Sequence, residues 1–237
     1  MKLGIMQPYF MPYLGYIGLV NYVDHFILFD TPQFIRHGWI ERNQILKLDG
    51  EPMYIKVPLI KHSRNTSIKD VSINNRINWK DKILAQLSHY KKRAPHYSSV
   101  IKMLDSIFEY DYESIVDLNY KALSEVCSYL DIKTPISIWS EMDIEIESVN
   151  SPDEWALNIC KALNADSYYN PPGGRSFFDI EKYDKAGVKL NFLEVNQRSY
   201  KQFSEGFVPY LSIIDTLMFC DKEEIRLILN DLNIKQE

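Results

Sequence analysis

Leu3-Gly4-Ile5-Met6-Gln7-Pro8-Tyr9-Phe10-Met11-Pro12-Tyr13-Leu14-Gly15-Tyr16, carried on through residues 17–23 to Phe26-Ile27-Leu28-Phe29-Asp30, is the stretch on which the fold turns. Residues 3–6 and 26–29 are uninterrupted apolar runs, the pattern of strands buried on both faces. Between them, two prolines remove backbone donors and fix φ, so the chain leaves the first strand as a stiff turn. Residues 17–23 then have helical character, and Gly15 leaves room for close backbone approach. Strand, helix, strand makes a βαβ unit, whose crossover is right-handed. In an open sheet of this kind ligands bind beyond the carboxyl ends of the strands, where the proline-rich turn lies. One polar Gln7 and three tyrosines, Tyr9, Tyr13 and Tyr16, crowd a position for which burial alone would select aliphatics, marking a candidate active site. The alternative is an apolar turn packed under the first helix.

Working outward, the pattern changes to β character over residues 33–75, with residues 54–58 the clearest strand and residues 47–51 a hairpin turn. Residues 79–90, 97–108 and 112–130 have helical spacing. Alternation then resumes. Residues 136–139, 167–170 and 189–195 read as strands, with helices over residues 152–163 and 179–186 between them. Ser151 is the expected N-cap of the first of these helices and Pro152 its first residue. Helices starting at Tyr210 and Asp221 close the chain. The expected fold is α/β, a Rossmann-like parallel sheet of about five strands in one domain over residues 1–237. It carries a β excursion at 34–78, a helical block at 79–130 and C-terminal helices at 207–237.

At 237 residues and 46% hydrophobic content, the chain is long enough for one good core. The formal charge of −5 argues against a general nucleic-acid binder. A local basic group, Lys91-Lys92-Arg93 between His89-Tyr90 and His96-Tyr97, can meet a phosphate or an acidic partner, or simply complement its own helix dipole. Cys127, Cys160 and Cys220 fall in apolar helical patterns and read as reduced, buried thiols. No signal peptide and no apolar stretch of membrane-spanning length is recognisable, which leads to the expectation of a cytoplasmic protein.

Four loops follow strand ends. Gln7 and Tyr9 come after the first strand. Asp30 and Gln33 come after the second, with His37, Arg42 and Asn43 close behind. Ser140 and Glu141 follow the third. Pro171-Pro172-Gly173-Gly174-Arg175-Ser176 follows the fourth and carries the strongest local signal: paired glycines let amides face an anion, and Arg175 offers a fork for phosphate or carboxylate. It lacks the spacing of a Walker A loop or a dinucleotide fingerprint. Of the five histidines, His37 is the best candidate for a general base, its alternative being an exposed loop residue. Ser212 and Asp215, three apart on one helix face, either line the site or hold a loop in place. Histidine, cysteine and carboxylate spacings match no known metal motif, and no nucleophile elbow occurs.

Gln7-Pro8-Tyr9-Phe10-Met11-Pro12 with Gly15-Tyr16, then Asp30, Gln33-Phe34-Ile35, Gly38-Trp39-Ile40 with Arg42-Asn43, Ala94-Pro95, and Phe207-Val208-Pro209 with Leu211-Ser212-Ile213-Ile214-Asp215 together resemble the WbqC-like family across nearly the whole chain. That family is associated with clusters for O-antigen (lipopolysaccharide) and other surface polysaccharides. The resemblance implies transfer of an acyl or aminoacyl group to the amino group of a nucleotide-linked deoxyamino sugar. The donor would be a thioester on coenzyme A or on the phosphopantetheine of an acidic acyl or peptidyl carrier protein, with no tightly bound cofactor. It further implies Arg175 and the Gly173 and Gly174 amides for the diphosphate, with Ser176 beside them among the substrate-binding residues, tyrosines for the base or sugar ring, and His37 or Asp30 for the amine, with Gln7 as a further catalytic candidate. The Lys91-Lys92-Arg93 group would dock the carrier.

A remoter similarity is to nucleotidyltransferases with an HxGH element. Here that element reads Tyr13-Leu14-Gly15-Tyr16, whose phenols cannot supply the charge that a leaving pyrophosphate needs. An ATP-using nucleotidyltransferase or ligase is one alternative reading. A non-catalytic sugar-nucleotide or carrier-binding protein is the other.

Overall fold

The computed structural model describes residues 1–203 and 206–237. β1 (Lys2–Met6), α1 (Leu14–Tyr22) and β2 (His25–Leu28) form the βαβ unit expected from the opening stretch, with β1 and β2 parallel and Ile5 opposite Ile27. The excursion is the antiparallel hairpin β3 (Arg42–Leu46) and β4 (Pro52–Lys56). Its turn is closed by Lys47 N donating to Glu51 O at 2.8 Å, with Gly50 at φ 86°, a conformation that suits glycine. α2 (Trp79–Leu87), α3 (Tyr97–Phe108) and α4 (Ile115–Tyr129) make the helical block. β5 (Ile136–Ile138), α5 (Glu154–Ala162), β6 (Ser167–Asn170), α6 (Ile180–Lys185) and β7 (Lys189–Val195) complete the alternation, followed by α7 (Ile213–Phe219), α8 (Lys222–Leu229) and β8 (Leu232–Gln236).

The main sheet has the order β5-β2-β1-β6-β7-β8. Its first five strands are parallel, as expected for a Rossmann-like core. The sixth, β8, is antiparallel to β7 and lies in a stretch read from sequence as part of the C-terminal helices. Its side chains are mostly exposed, so it lacks the buried apolar run that marks the other strands and is held by backbone pairing at the sheet edge. A second difference is the start of α5. Asp153, not Ser151, is its N-cap, and Ser151 Oγ instead donates to Asp153 Oδ1 at 2.5 Å.

Alternation along the strands sends side chains to two cores. Leu3, Ile5, Ile27, Tyr168, Leu190 and Phe192 pack with α5 and Tyr183 of α6. Phe26, Leu28, Tyr169, Leu193 and Val195 face a larger core, which joins α1, the helical block, the hairpin, α7 and α8. α1 lies close on β7 because of Gly18, where a Cβ would come within 2.2 Å of Val195. The three cysteines are buried and unpaired. Among the described residues no helix is long and apolar enough to cross a membrane.

Candidate functional site

β1 has β2 on one side and β6 on the other, so the order in which the parallel strands are added reverses at β1/β6. The loops leaving these strands part there and open a crevice. One part of it is a cavity of about 810 Å³. Gln7, Tyr9 and Tyr13 come to it from the proline-rich turn, Asn170, Gly173 and Gly174 from the loop after β6, and Phe29, Trp39, Trp155, Phe177 and Phe178 supply further aromatic walls. No charged side chain lines it among the described residues. A second cavity of about 930 Å³ shares Gln7, Pro32, Ile35, Pro152 and Phe177 with the first. It adds Arg36, Arg64, His62 and Gln33, so the crevice runs from an aromatic chamber to a cationic edge.

The proline-rich turn is held by side chains from three distant elements. Pro8 and Pro12 have no N–H to give, and the turn's buried carbonyls need donors from elsewhere. Asn119 of α4 donates through Nδ2 to Pro8 O at 2.8 Å and to Ile40 O at 2.9 Å. Asn43 of β3 donates to Phe10 O at 3.1 Å and Met11 O at 2.8 Å. Ser212 Oγ, at the start of α7, donates to Met11 O at 2.8 Å. Met11 is thereby held at φ 42°, a conformation costly for a residue with a side chain of this size.

The sequence-predicted residues divide into those at the crevice and those that support it. Gln7, Tyr9 and Tyr13 line the aromatic chamber. Burial, reinforced by the neighbouring Tyr9 and Tyr210 phenols, pushes Tyr13 up to about 12, and burial also raises Tyr9, so both are neutral donors at physiological pH. Tyr16 is fully buried; its hydroxyl donates to Gln7 O at 3.0 Å and its ring packs on Phe26. Tyr13 also lies across the first turn of α1, where a Cβ on Gly15 would meet its ring at 2.4 Å. Of the two phenols in the Tyr13-Leu14-Gly15-Tyr16 element, Tyr13 lines the chamber and Tyr16 does not.

Asp30 is buried and outside the chamber's lining; its carboxylate accepts from Ser140 N at 3.0 Å and Ser140 Oγ at 2.5 Å, joining the loops after β2 and β5. Gln33, on the cationic edge, donates to Arg64 O at 2.7 Å. His37 is exposed at φ 64° and lines a smaller, third cavity. Arg42 donates to the carbonyls of His37 and Gly38 and stacks over Tyr54, so it and Asn43 act as braces. Gly173 is open to solvent, whereas a Cβ on Gly174 would fall 2.2 Å from Asn170 Nδ2. Arg175 turns away to pair with Glu237 at 2.5 Å, and Ser176 is exposed. Asp215 is fully buried, accepting from Tyr90 and Tyr200 hydroxyls at 2.6 and 2.8 Å and from Gln202 at 3.1 Å. Its burial raises the carboxyl pKa despite those hydrogen bonds.

Sequence reasoning passed over Phe29, Trp155, Phe177, Phe178 and Asn170 as site residues, and with them His62 and Arg64. Aromatic residues in elements read as core carry no local sign of facing a cavity; only the position of Phe29 and Asn170 at strand ends pointed to it. Among the described residues no group of three or more His, Cys, Asp or Glu could hold a metal ion.

Comparison with known proteins gives one family and one curated relative. The model of the WbqC-like protein family matches residues 7–227. Rv1507c, an uncharacterized protein of Mycobacterium tuberculosis (strain ATCC 25618 / H37Rv), is 29% identical over 219 residues, covering 91% of this chain and 92% of its own. No solved structure matches.

Proposed function

Since the chain belongs to the WbqC-like protein family, we propose that it transfers an acyl or aminoacyl group to the amino group of a nucleotide-linked deoxyamino sugar in surface polysaccharide (O-antigen) biosynthesis. The observation that carries this reading is the joined crevice, an aromatic chamber of about 810 Å³ opening at Gln7 onto an edge bearing Arg36 and Arg64. A sugar nucleotide has the same division, with stacking rings at one end and a diphosphate that suits guanidinium forks. The size is within the usual range for small-molecule sites.

In the reaction, the sugar amine attacks the thioester carbonyl, the C–S bond breaks, the amine gives up a proton and the thiol departs. Gln7, at the junction of the two cavities, is the group proposed to orient the sugar, and His37, in the exposed turn beside Arg36, the base for the amine. Asp30 positions the loop through Ser140. The exposed Phe177 and Ile35 at the mouth offer an apolar path for a phosphopantetheine or coenzyme A arm, and exposed Lys91 and Lys92 offer a dock for an acidic carrier. The cytoplasm, where sugar nucleotides and thioesters coexist, is the proposed location.

A second reading, a binding protein that presents the sugar nucleotide to another enzyme, is favoured by the lack of any acid or base other than tyrosine in the lining of the aromatic chamber, among the described residues. Incubation with a panel of nucleotide-linked amino sugars and acyl thioesters, followed by mass spectrometry, separates the two. Transfer gives the mass increase of the acyl group, lost in Gln7→Ala and His37→Ala. Tight binding with no mass increase for any pair supports the presenting role, and no binding of any sugar nucleotide overturns both.

A further inference from the structure

Beside the crevice, between the loop that follows β2 and the segment that follows β4, lies the third cavity, of about 200 Å³. Two of its lining residues each carry a buried acceptor with nothing to accept. Glu41 is 3% exposed, yet its Oε2 has no hydrogen-bond partner. A carboxylate oxygen removed from water without a donor is costly, so such a group marks a place where a donor is to be supplied. The second acceptor is His62. Its Nδ1 lies 2.9 Å from Ile60 O, and because a carbonyl only accepts, Nδ1 holds the proton. Nε2 of the neutral ring is then a lone pair, and it too is buried and unpartnered. The ring is fixed edge-on against Phe34, with centroids 5.0 Å apart.

Two unpartnered acceptors on residues that line one cavity call for a group with several N–H donors, and a primary ammonium has three. A bare amine would be repelled by the other lining groups, because Arg36, Lys56 and Lys61 edge the same cavity. A ligand with an ammonium and an adjacent anion satisfies both sets at once. We propose that this cavity is a binding site for a free α-amino acid, its ammonium on Glu41 and His62 and its carboxylate on the Arg36, Lys56 and Lys61 edge. The volume restricts the ligand to a small side chain, set against Phe34 and Leu59. Phe34, Arg36 and His62 also line the cationic part of the crevice, so the amino acid sits next to whatever occupies it. The assignment stands on these groups alone and does not require acyl transfer to be the reaction.

Isothermal titration calorimetry of the full chain against the proteinogenic amino acids, their N-acetyl derivatives and their amides tests it, with unsubstituted alkylamines and a nucleotide-linked amino sugar as further arms. A small amino acid is expected to bind. Its N-acetyl derivative, its amide and the alkylamines should each bind roughly tenfold or more weakly. Glu41→Gln and His62→Phe should weaken the amino acid to the same degree, while Glu223→Gln on exposed α8 leaves it unchanged, with circular dichroism verifying the fold of each variant. The proposal is overturned if no amino acid binds the wild type at millimolar concentration, if the alkylamines or the amino sugar bind in its place with the same dependence on Glu41, or if folded Glu41→Gln and His62→Phe both retain full affinity.

Discussion

Asn119, in the middle of α4, donates a hydrogen bond to the carbonyl of Pro8 at 2.8 Å, which ties the helical block to the first residues beyond β1. The same amide nitrogen reaches Ile40 O at 2.9 Å, so one side chain fastens both the proline-rich turn and the loop before the hairpin. With Asn43 and Ser212 holding Phe10 and Met11, the turn is the point at which excursion, helical block and C-terminal helix dock on the Rossmann-like half. A wall so tied presents Gln7, Tyr9 and Tyr13 in fixed positions, which lowers the ordering cost of binding a ligand against it.

Replacing Asn119 by Ala should therefore destabilise the protein well beyond the loss of a surface contact. Two buried carbonyls lose their donor, and the expected cost is about 2–4 kcal/mol. Urea denaturation followed by circular dichroism gives the value. A cost under about 0.5 kcal/mol would show that water replaces the amide and that the turn is not held in this way.

The two glycines after β6 should respond in opposite ways. Gly174→Ala drives a methyl group against Asn170 Nδ2, displacing a side chain whose Oδ1 accepts from Tyr168 at 3.1 Å, and should cost about 1–2 kcal/mol. Gly173→Ala meets open space and should be neutral or stabilising by about 0.5 kcal/mol. Thermal denaturation of the pair decides it; equal losses in the two variants would remove the argument for close approach at Gly174.

How much of this was legible follows from what kind of signal each part leaves. The central parallel strands are buried on both faces, and runs such as Phe26-Ile27-Leu28-Phe29 announce that directly. β8 is paired through its backbone and buried by little, so Leu232 and Ile234 alone did not separate it from the preceding helix. At the site, the position of the proline-rich turn beyond β1 was readable from topology, and Gln7, Tyr9 and Tyr13 do line the chamber. The direction of Arg175 was not: Gly-Gly-Arg-Ser encodes a local turn, whereas the pairing with Glu237 depends on where the far end of the chain comes to rest. Trp155 was hidden for the converse reason, since an aromatic facing a cavity and one facing a core have the same periodicity.

That redirection of Arg175 leads to a test of where an anion binds. Under the proposed function the diphosphate is met by Arg36 and Arg64, not by Arg175. Arg36→Ala and Arg64→Ala should each weaken uridine or thymidine diphosphate binding by roughly tenfold, an effect that shrinks with added salt. Arg175→Ala should change it by less than about twofold. Calorimetry showing the largest loss in Arg175→Ala would return the anion site to the loop after β6.

Tyr13 sets an alkaline limit. Its phenol is pushed by burial from 10.0 up to about 12. Below pH 10 the folded and unfolded chains both keep the proton, and its contribution to stability is whole. Between pH 10 and about 12 the unfolded chain ionises first, so stability falls as pH rises. Tyrosinate absorbance should lag in the wild type until the fold is lost, and Tyr13→Phe should lose less stability over this interval. An ordinary titration near pH 10 within the intact fold would contradict the buried setting of Tyr13.

At the acid end the sensitive point is the start of α5, which carries Trp155 into the chamber wall. Glu154 accepts from Lys182 Nζ at 2.8 Å and from Asn150 N at 2.7 Å, and these bonds, the lysine first, lower its carboxyl from 4.5 to about 2. A carboxylate with a depressed folded pKa stabilises above its unfolded value and loses that contribution as pH falls through the folded one. The window therefore runs from about pH 4.5 down to about 2. Lys182→Ala removes the main partner, so the stability difference between wild type and variant should be full at pH 7 and shrink across that window. Because Glu154 and Lys182 are both partly exposed, solvent screening keeps the difference modest, and added salt should reduce it further. Urea denaturation at pH 7, 4 and 3 measures it. A difference that stays constant over this range would assign the effect of Lys182 to packing of its stem and not to the charge on Glu154.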